Sequence, residues 1–168
     1  LLAGEDSDIY YVNGPSSGVG NGIGGRTSEV VLQHYSDMMY TSGNLSVNTM
    51  ANGDFENDPS EDALVVANWL DLGGKDLFMA GDDLAFDLAQ SGAITNSLLT
   101  GYVGVTVVGK DLRPLVGNQT GPRVQVQAGN AVFQTVDSWV AYGGCAGLNT
   151  FDAVTTTGSA TRLAQFRD

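Results

Sequence analysis

The stretch Ser60-Glu61-Asp62-Ala63-Leu64-Val65-Val66-Ala67-Asn68-Trp69-Leu70-Asp71-Leu72-Gly73-Gly74-Lys75-Asp76-Leu77-Phe78-Met79-Ala80-Gly81-Asp82-Asp83 decides how this chain folds. It predicts a helix with Ser60 as N-cap and Glu61 and Asp62 in the first turn, where the helix dipole favours acids. Gly73-Gly74 stops it. Glu61, Asn68, Asp71 and Lys75 fall on one narrow polar stripe, while Leu64, Val65, Ala67, Trp69 and Leu72 fill the rest. A helix this apolar is expected to pack against a sheet over most of its girth. Residues 77–80 then read as a continuous apolar strand, the kind buried on both faces of a parallel sheet. That strand passes through Gly81 into Asp82-Asp83 and a second helix over 84–88.

Upstream, Ile9-Tyr10-Tyr11-Val12 is a β-prone run ended by the turn cluster Asn13-Gly14-Pro15. Thr27 is the expected cap of a short helix through Val30, Val31, His34 and Tyr35, and Met38-Met39-Tyr40 reads as a buried strand. Strand and helix therefore alternate, the pattern of a doubly wound α/β core over 1–100. Beyond it the texture changes to Val/Thr-rich runs at 103–108, 123–127, 131–133 and 139–142, split by glycine-containing turns. These predict an antiparallel, β-rich extension over 101–168, closed by a terminal helix from Ser159 to Phe166. We read 1–168 as a single domain. Its abrupt opening on Leu1-Leu2-Ala3-Gly4 reads as a segment of a longer chain.

The 168 residues carry 19 Asp+Glu against 7 Lys+Arg, a net charge of −12, with 23 Gly, one Cys and one His. Residues 1–87 hold fifteen acids and two bases, a net −13, and residues 88–168 hold four acids and five bases, a net +1. Such acidity argues against a nucleic-acid partner, which needs clustered Lys and Arg. The apolar runs are too short for a membrane span, and one Cys supports neither a disulfide framework nor a thiolate zinc site.

Four groups of residues are candidates for chemistry. Asp82 and Asp83 sit where a parallel strand meets a helix, the position at which open α/β sheets place ligands and catalytic groups; the plainer expectation is that one of them caps the helix. Cys145, in Gly143-Gly144-Cys145-Ala146-Gly147, has the setting of a nucleophile turn, but the sole base available is His34, and a small buried thiol is the simpler reading. Asp54, Glu56 and Asp58 alternate as oxygen ligands do around calcium, without the Gly and Glu that an EF-hand loop requires. Gly20-Asn21-Gly22-Ile23-Gly24-Gly25 matches a dinucleotide fingerprint in spacing, yet the loop before it is too long for the tight turn that chemistry needs, so it reads as an ordinary loop with no cofactor.

The succession Gly14-Pro15-Ser16-Ser17, Asn21-Gly22-Ile23-Gly24, Tyr40-Thr41-Ser42-Gly43-Asn44-Leu45, Asn68-Trp69-Leu70-Asp71-Leu72-Gly73-Gly74-Lys75 and Gly81-Asp82-Asp83-Leu84-Ala85 resembles uncharacterised domains of large secreted bacterial multidomain proteins. Those domains look like the class I glutamine amidotransferase fold, a flavodoxin-like, mostly parallel sheet. The resemblance covers about residues 8–112. Amidotransferases carry a Cys at the elbow after the central strand and a His later; here the elbow is Gly81-Asp82-Asp83 and no His follows it. The expected function is thus a non-catalytic extracellular structural or interaction module, its partners other domains or copies of the same protein. The alternatives are a hydrolase or transferase using the strand-end carboxylates, or a calcium- or glycan-binding module.

Overall fold

The computed structural model describes residues 6–11, 22–23, 27–43, 45–50, 62–117, 123–140, 151–158 and 160–167. Strand β1 (Asp37–Gly43) leads through helix α2 (Asp62–Asp71) to strand β2 (Asp76–Gly81), preceded by the single-turn helix α1 (Glu29–Leu32). Helices α3 (Leu84–Ser91) and α4 (Ala93–Ser97) follow and run into a π-type turn, Leu98–Val103. Strands β3 (Val105–Gly109), β4 (Arg123–Val126), β5 (Ser138–Val140), β6 (Ala153–Thr156) and β7 (Ala164–Arg167), with a short 3-10 helix (Arg113–Val116) between β3 and β4, complete the order.

Strands β1 and β2 pair in parallel, with Met38 opposite Leu77, Met39 opposite Phe78 and Tyr40 opposite Met79. The other two sheets are antiparallel, β3 with β6 and β4 between β5 and β7. The protein is thus mixed α/β with an antiparallel C-terminal region, as expected. Its parallel sheet, among the described residues, is two strands wide.

Gly73 and Gly74 end α2 as predicted, both with positive φ (75° and 61°), a conformation that a Cβ disfavours. The girth of α2 is buried more narrowly than its composition suggests. Asp62, Ala63, Val66 and Trp69 are covered, whereas Leu64 and Leu72 face solvent. The two parallel strands are likewise covered on one face. Met38, Tyr40, Leu77 and Met79 pack on Met50, Ala63, Val66, Leu84, Leu88, Leu98 and Leu99, while Met39 and Phe78 stand exposed. The expectation of burial on both faces is therefore corrected, because all the described helices that pack on this sheet lie on one side. A second core cluster joins Leu112, Val116 and Ala153 with Phe151 and Phe166.

Four local expectations are also corrected. Residues 9–11 form no strand, having no partner edge among the described residues, and Val12 lies outside them. The first helix begins at Glu29 and is one turn long, leaving His34 and Tyr35 in the turn that follows. Residues 131–133 form an irregular bend, held by the Asn130 carboxamide oxygen, which accepts from the Val132 and Phe133 amides. The predicted terminal helix is strand β7, because its residues 164–167 find the open edge of β4 and pair antiparallel with it. Helical propensity is a weak prior that such long-range pairing overrides.

Candidate functional site

The elbow joining β2 to α3 carries two of the candidate residues, Asp82 and Asp83. The Asp82 amide donates to the Gly43 carbonyl at 2.9 Å, so the parallel ladder runs to the edge of the elbow. A Cβ on Gly81 would sit 1.8 Å from Ser42 Oγ and 3.3 Å from Leu84 Cβ, so a side chain there requires Ser42 to move aside at the junction of strand end and helix start. Asp83 takes left-handed backbone angles (φ 53°, ψ 12°), which Asp tolerates better than most residues.

Asp83 occupies the N-cap position of α3, yet its side chain makes no cap hydrogen bond. The cap comes from 66 residues away: Asp152 Oδ2 accepts from the Phe86 amide at 2.9 Å. Expecting Asp82 or Asp83 to cap the helix is therefore wrong. The left-handed turn at Asp83 goes with this, because a capping residue normally holds extended angles. Lys110, just after β3, brings its Nζ to 4.0 Å from Asp83 Oδ2 and to 5.3 Å from the Phe86 ring centroid. Asp83 and Asp82 both act electrostatically on Asp152. The elbow is thus a junction of three carboxylates and one ammonium. Sequence reasoning found Asp82 and Asp83 from their strand–helix position but missed Asp152, Lys110 and Ser42, which carry no local signal.

Burial pushes the Asp152 carboxyl above the usual aspartate range, and the charges of Asp83 and Asp82 push the same way against the hydrogen bonds from the Phe86 and Ala85 amides. The folded chain therefore holds this proton more tightly than the unfolded chain does. Its contribution to stability is fully present below the ordinary aspartate value of about 3.9 and is lost as pH rises through the raised folded value. Asp152→Asn keeps an oxygen for the Phe86 amide and removes the charge. In chelator-treated buffer, urea midpoints of this variant should fall less steeply across that window than those of the native chain. Equal slopes would contradict this account.

His34 is remote from the elbow. It precedes β1 at the amino end of the sheet, and the elbow follows the carboxyl end, so roughly 20 Å of strand separates them at about 3.3 Å per residue. His34 instead lines an open depression of about 550 Å³ with Asp6, Ser7, Asp8, Val31 and Tyr35. There the Tyr35 hydroxyl donates to Asp8, which raises the phenol's pKa. Cys145 and the acidic set Asp54, Glu56 and Asp58 lie outside the described residues, as does the glycine loop apart from Gly22 and Ile23. Among the described residues, no group of three or more His, Cys, Asp or Glu side chains is placed to hold a metal ion, and no helix is long and apolar enough to cross a membrane.

No family model matches this chain, and neither a curated protein nor a solved structure matches it. What the structure itself defines is a mixed α/β protein with a carboxylate-rich strand-end elbow.

Proposed function

We propose that this chain is a non-catalytic interaction module of a larger secreted or cell-surface protein or assembly, and that the outer face of β1–β2 is its working surface. One observation carries the reading: Met39 and Phe78, paired across the two strands, are 70% and 57% exposed. Parallel strands normally have both faces covered, and adjoining exposed apolar side chains mark places where another molecule docks. A flavodoxin-like architecture, the finer fold reading, explains why a face of this kind asks for a second covering layer. The acidic surface and the resemblance to domains of secreted proteins support an extracellular setting, with other domains or copies of the same protein as partners.

Met39→Lys combined with Phe78→Lys tests the reading in two ways. If the face serves a partner, the double variant should change the isolated chain's stability by less than about 1 kcal/mol, as exposed positions do. A photo-crosslinker placed at Met39 in the native host should give a discrete adduct, and one at the exposed Gln134 should not. A stability loss above about 2 kcal/mol would mean that the chain packs these residues itself. Adducts no stronger at Met39 than at Gln134 would also end the proposal.

A further inference from the structure

We propose that copies of this chain associate head to tail, the outer face of β1–β2 on one copy receiving the outer face of β5–β4–β7 on the next. The contact rests on the reading of the β1–β2 face as a docking surface and gives that surface its occupant, a second copy. Two like-charged pairs of opposite sign point to it. On the β1–β2 face Asp37 stands opposite Asp76, both exposed, on strands that lie about 4.8 Å apart. On the C-terminal sheet Arg123 stands opposite Arg167, both exposed, in an antiparallel pairing that sets facing Cβ atoms about 4.5–5.5 Å apart. Like charges directly across two strands destabilise a sheet. Each pair is therefore relieved by an arriving charge of the other sign.

Neither pair finds that charge among the described residues. Lys75, next to Asp76, donates to the Gln33 and Tyr35 carbonyls, and Asp37 accepts from the hydroxyl of its neighbour Ser36. Lys110 faces Asp83 and Arg113 is held by Asp111, which leaves the Arg123 and Arg167 guanidinium groups without an ion pair there. The apolar groups match as well. Val124 is buried and Phe166 packs on the second core cluster, so strand alternation turns Arg123, Arg167 and Val140, the partner of Arg123 on β5, to the outer face. Val140 is 55% exposed, and Met39 and Phe78 follow Asp37 and Asp76 two residues along their own face. Each face thus carries a charged pair beside exposed apolar side chains, with the signs reversed. The same division runs through the whole chain, with a net −13 over residues 1–87 and +1 over 88–168. Because the two surfaces differ, the contact is heterologous and extends into rings or filaments instead of stopping at a symmetric dimer.

The test is sedimentation velocity of the full chain over a concentration series at about 0.1 M salt, where charges about 10 Å apart still interact. The native chain is expected to form species larger than a monomer that grow with concentration. Asp37→Lys with Asp76→Lys, and Arg123→Glu with Arg167→Glu, should each sediment as monomers. The first of these brings the net charge of −12 closer to zero, so it would associate more readily if general repulsion alone decided the outcome. Mixed together, the two variants should associate again, because the intact arginine face of the first meets the intact aspartate face of the second. That rescue also shows that both are folded. Arg162→Glu, an exposed base outside the paired strands, should behave as the native chain does. The proposal is overturned by a native chain that stays monomeric throughout, by either double variant assembling alone, by a mixture that stays monomeric, or by loss of association in Arg162→Glu. A monomeric native chain that still gives the Met39 adduct with a different protein overturns the self-association alone, whereas absence of both ends the docking face too.

Discussion

Asp87→Ala is expected to cost about 3–5 kcal/mol, a large share of the roughly 5–15 kcal/mol by which a domain is stable. The surroundings of Asp87 explain both its burial and its weight. Its Oδ1 accepts from the Asn48 amide at 3.0 Å and Ser91 Oγ at 3.1 Å, and its Oδ2 accepts from the Thr49 amide at 2.8 Å and Thr49 Oγ1 at 2.6 Å. Asp87 and Thr49 are both buried, and Met50 beside them is part of the main core. The carboxylate thus fastens the segment after β1 to helix α3. Truncation strands the Thr49 amide and hydroxyl in a dry site, where each unpaired donor costs about 1–3 kcal/mol. Urea unfolding should show a lower midpoint at an unchanged slope, with Asp87→Asn intermediate because the amide keeps one acceptor. A loss below about 1 kcal/mol would show that water replaces these bonds at little cost.

Trp69→Ala is the second large effect, expected to cost about 3–5 kcal/mol. Trp69 is fully buried on α2, and its Nε1 donates to the Tyr35 carbonyl at 3.2 Å. Lys75 Nζ lies 5.7 Å from the ring centroid and donates to the carbonyls of Gln33 and Tyr35 at 2.8 and 2.7 Å. Helix α2 and the residue after its glycine stop thus hold the turn that leads into β1. Trp69→Phe preserves most of the apolar area and loses the Nε1 bond, so it should cost less than half as much. Trp139, partly exposed, remains as a fluorescent reporter in both variants. A drop of under about 1.5 kcal/mol for the alanine variant would mean that the neighbours collapse into the space, the main source of spread in such substitutions.

The two kinds of legibility differ by range. Local chemistry could be read directly: the glycine stop at Gly73-Gly74, the parallel βαβ unit around α2, the elbow at Gly81-Asp82-Asp83 and the antiparallel character of the C-terminal region all depend on patterns within a few residues. Burial could not be read so directly. Phe78 and Met39 are as apolar as Leu77 and Met38, and only the one-sided placement of the helices leaves the first pair exposed. The turn at Leu98–Val103 carries no local signal, and residues 164–167, helical in pattern through Phe166, form a strand because β4 offers them an edge.

The sequence by itself determined a strand–helix–strand–helix frame with its excess acid in the first 87 residues, and a strand-end elbow bearing Asp82 and Asp83. Periodicity, glycine conformations and helix-end chemistry act over a turn or two, so they survive without knowledge of the fold. Tertiary structure alone decided that Asp152, remote in the chain, caps α3, that Lys110 reaches Asp83, and that Asp83 is left buried with an unpaired oxygen. Those are non-local meetings of side chains, which no local pattern encodes. They turn an acidic pair that resembled an ordinary helix cap into a buried polar junction capped from elsewhere in the chain.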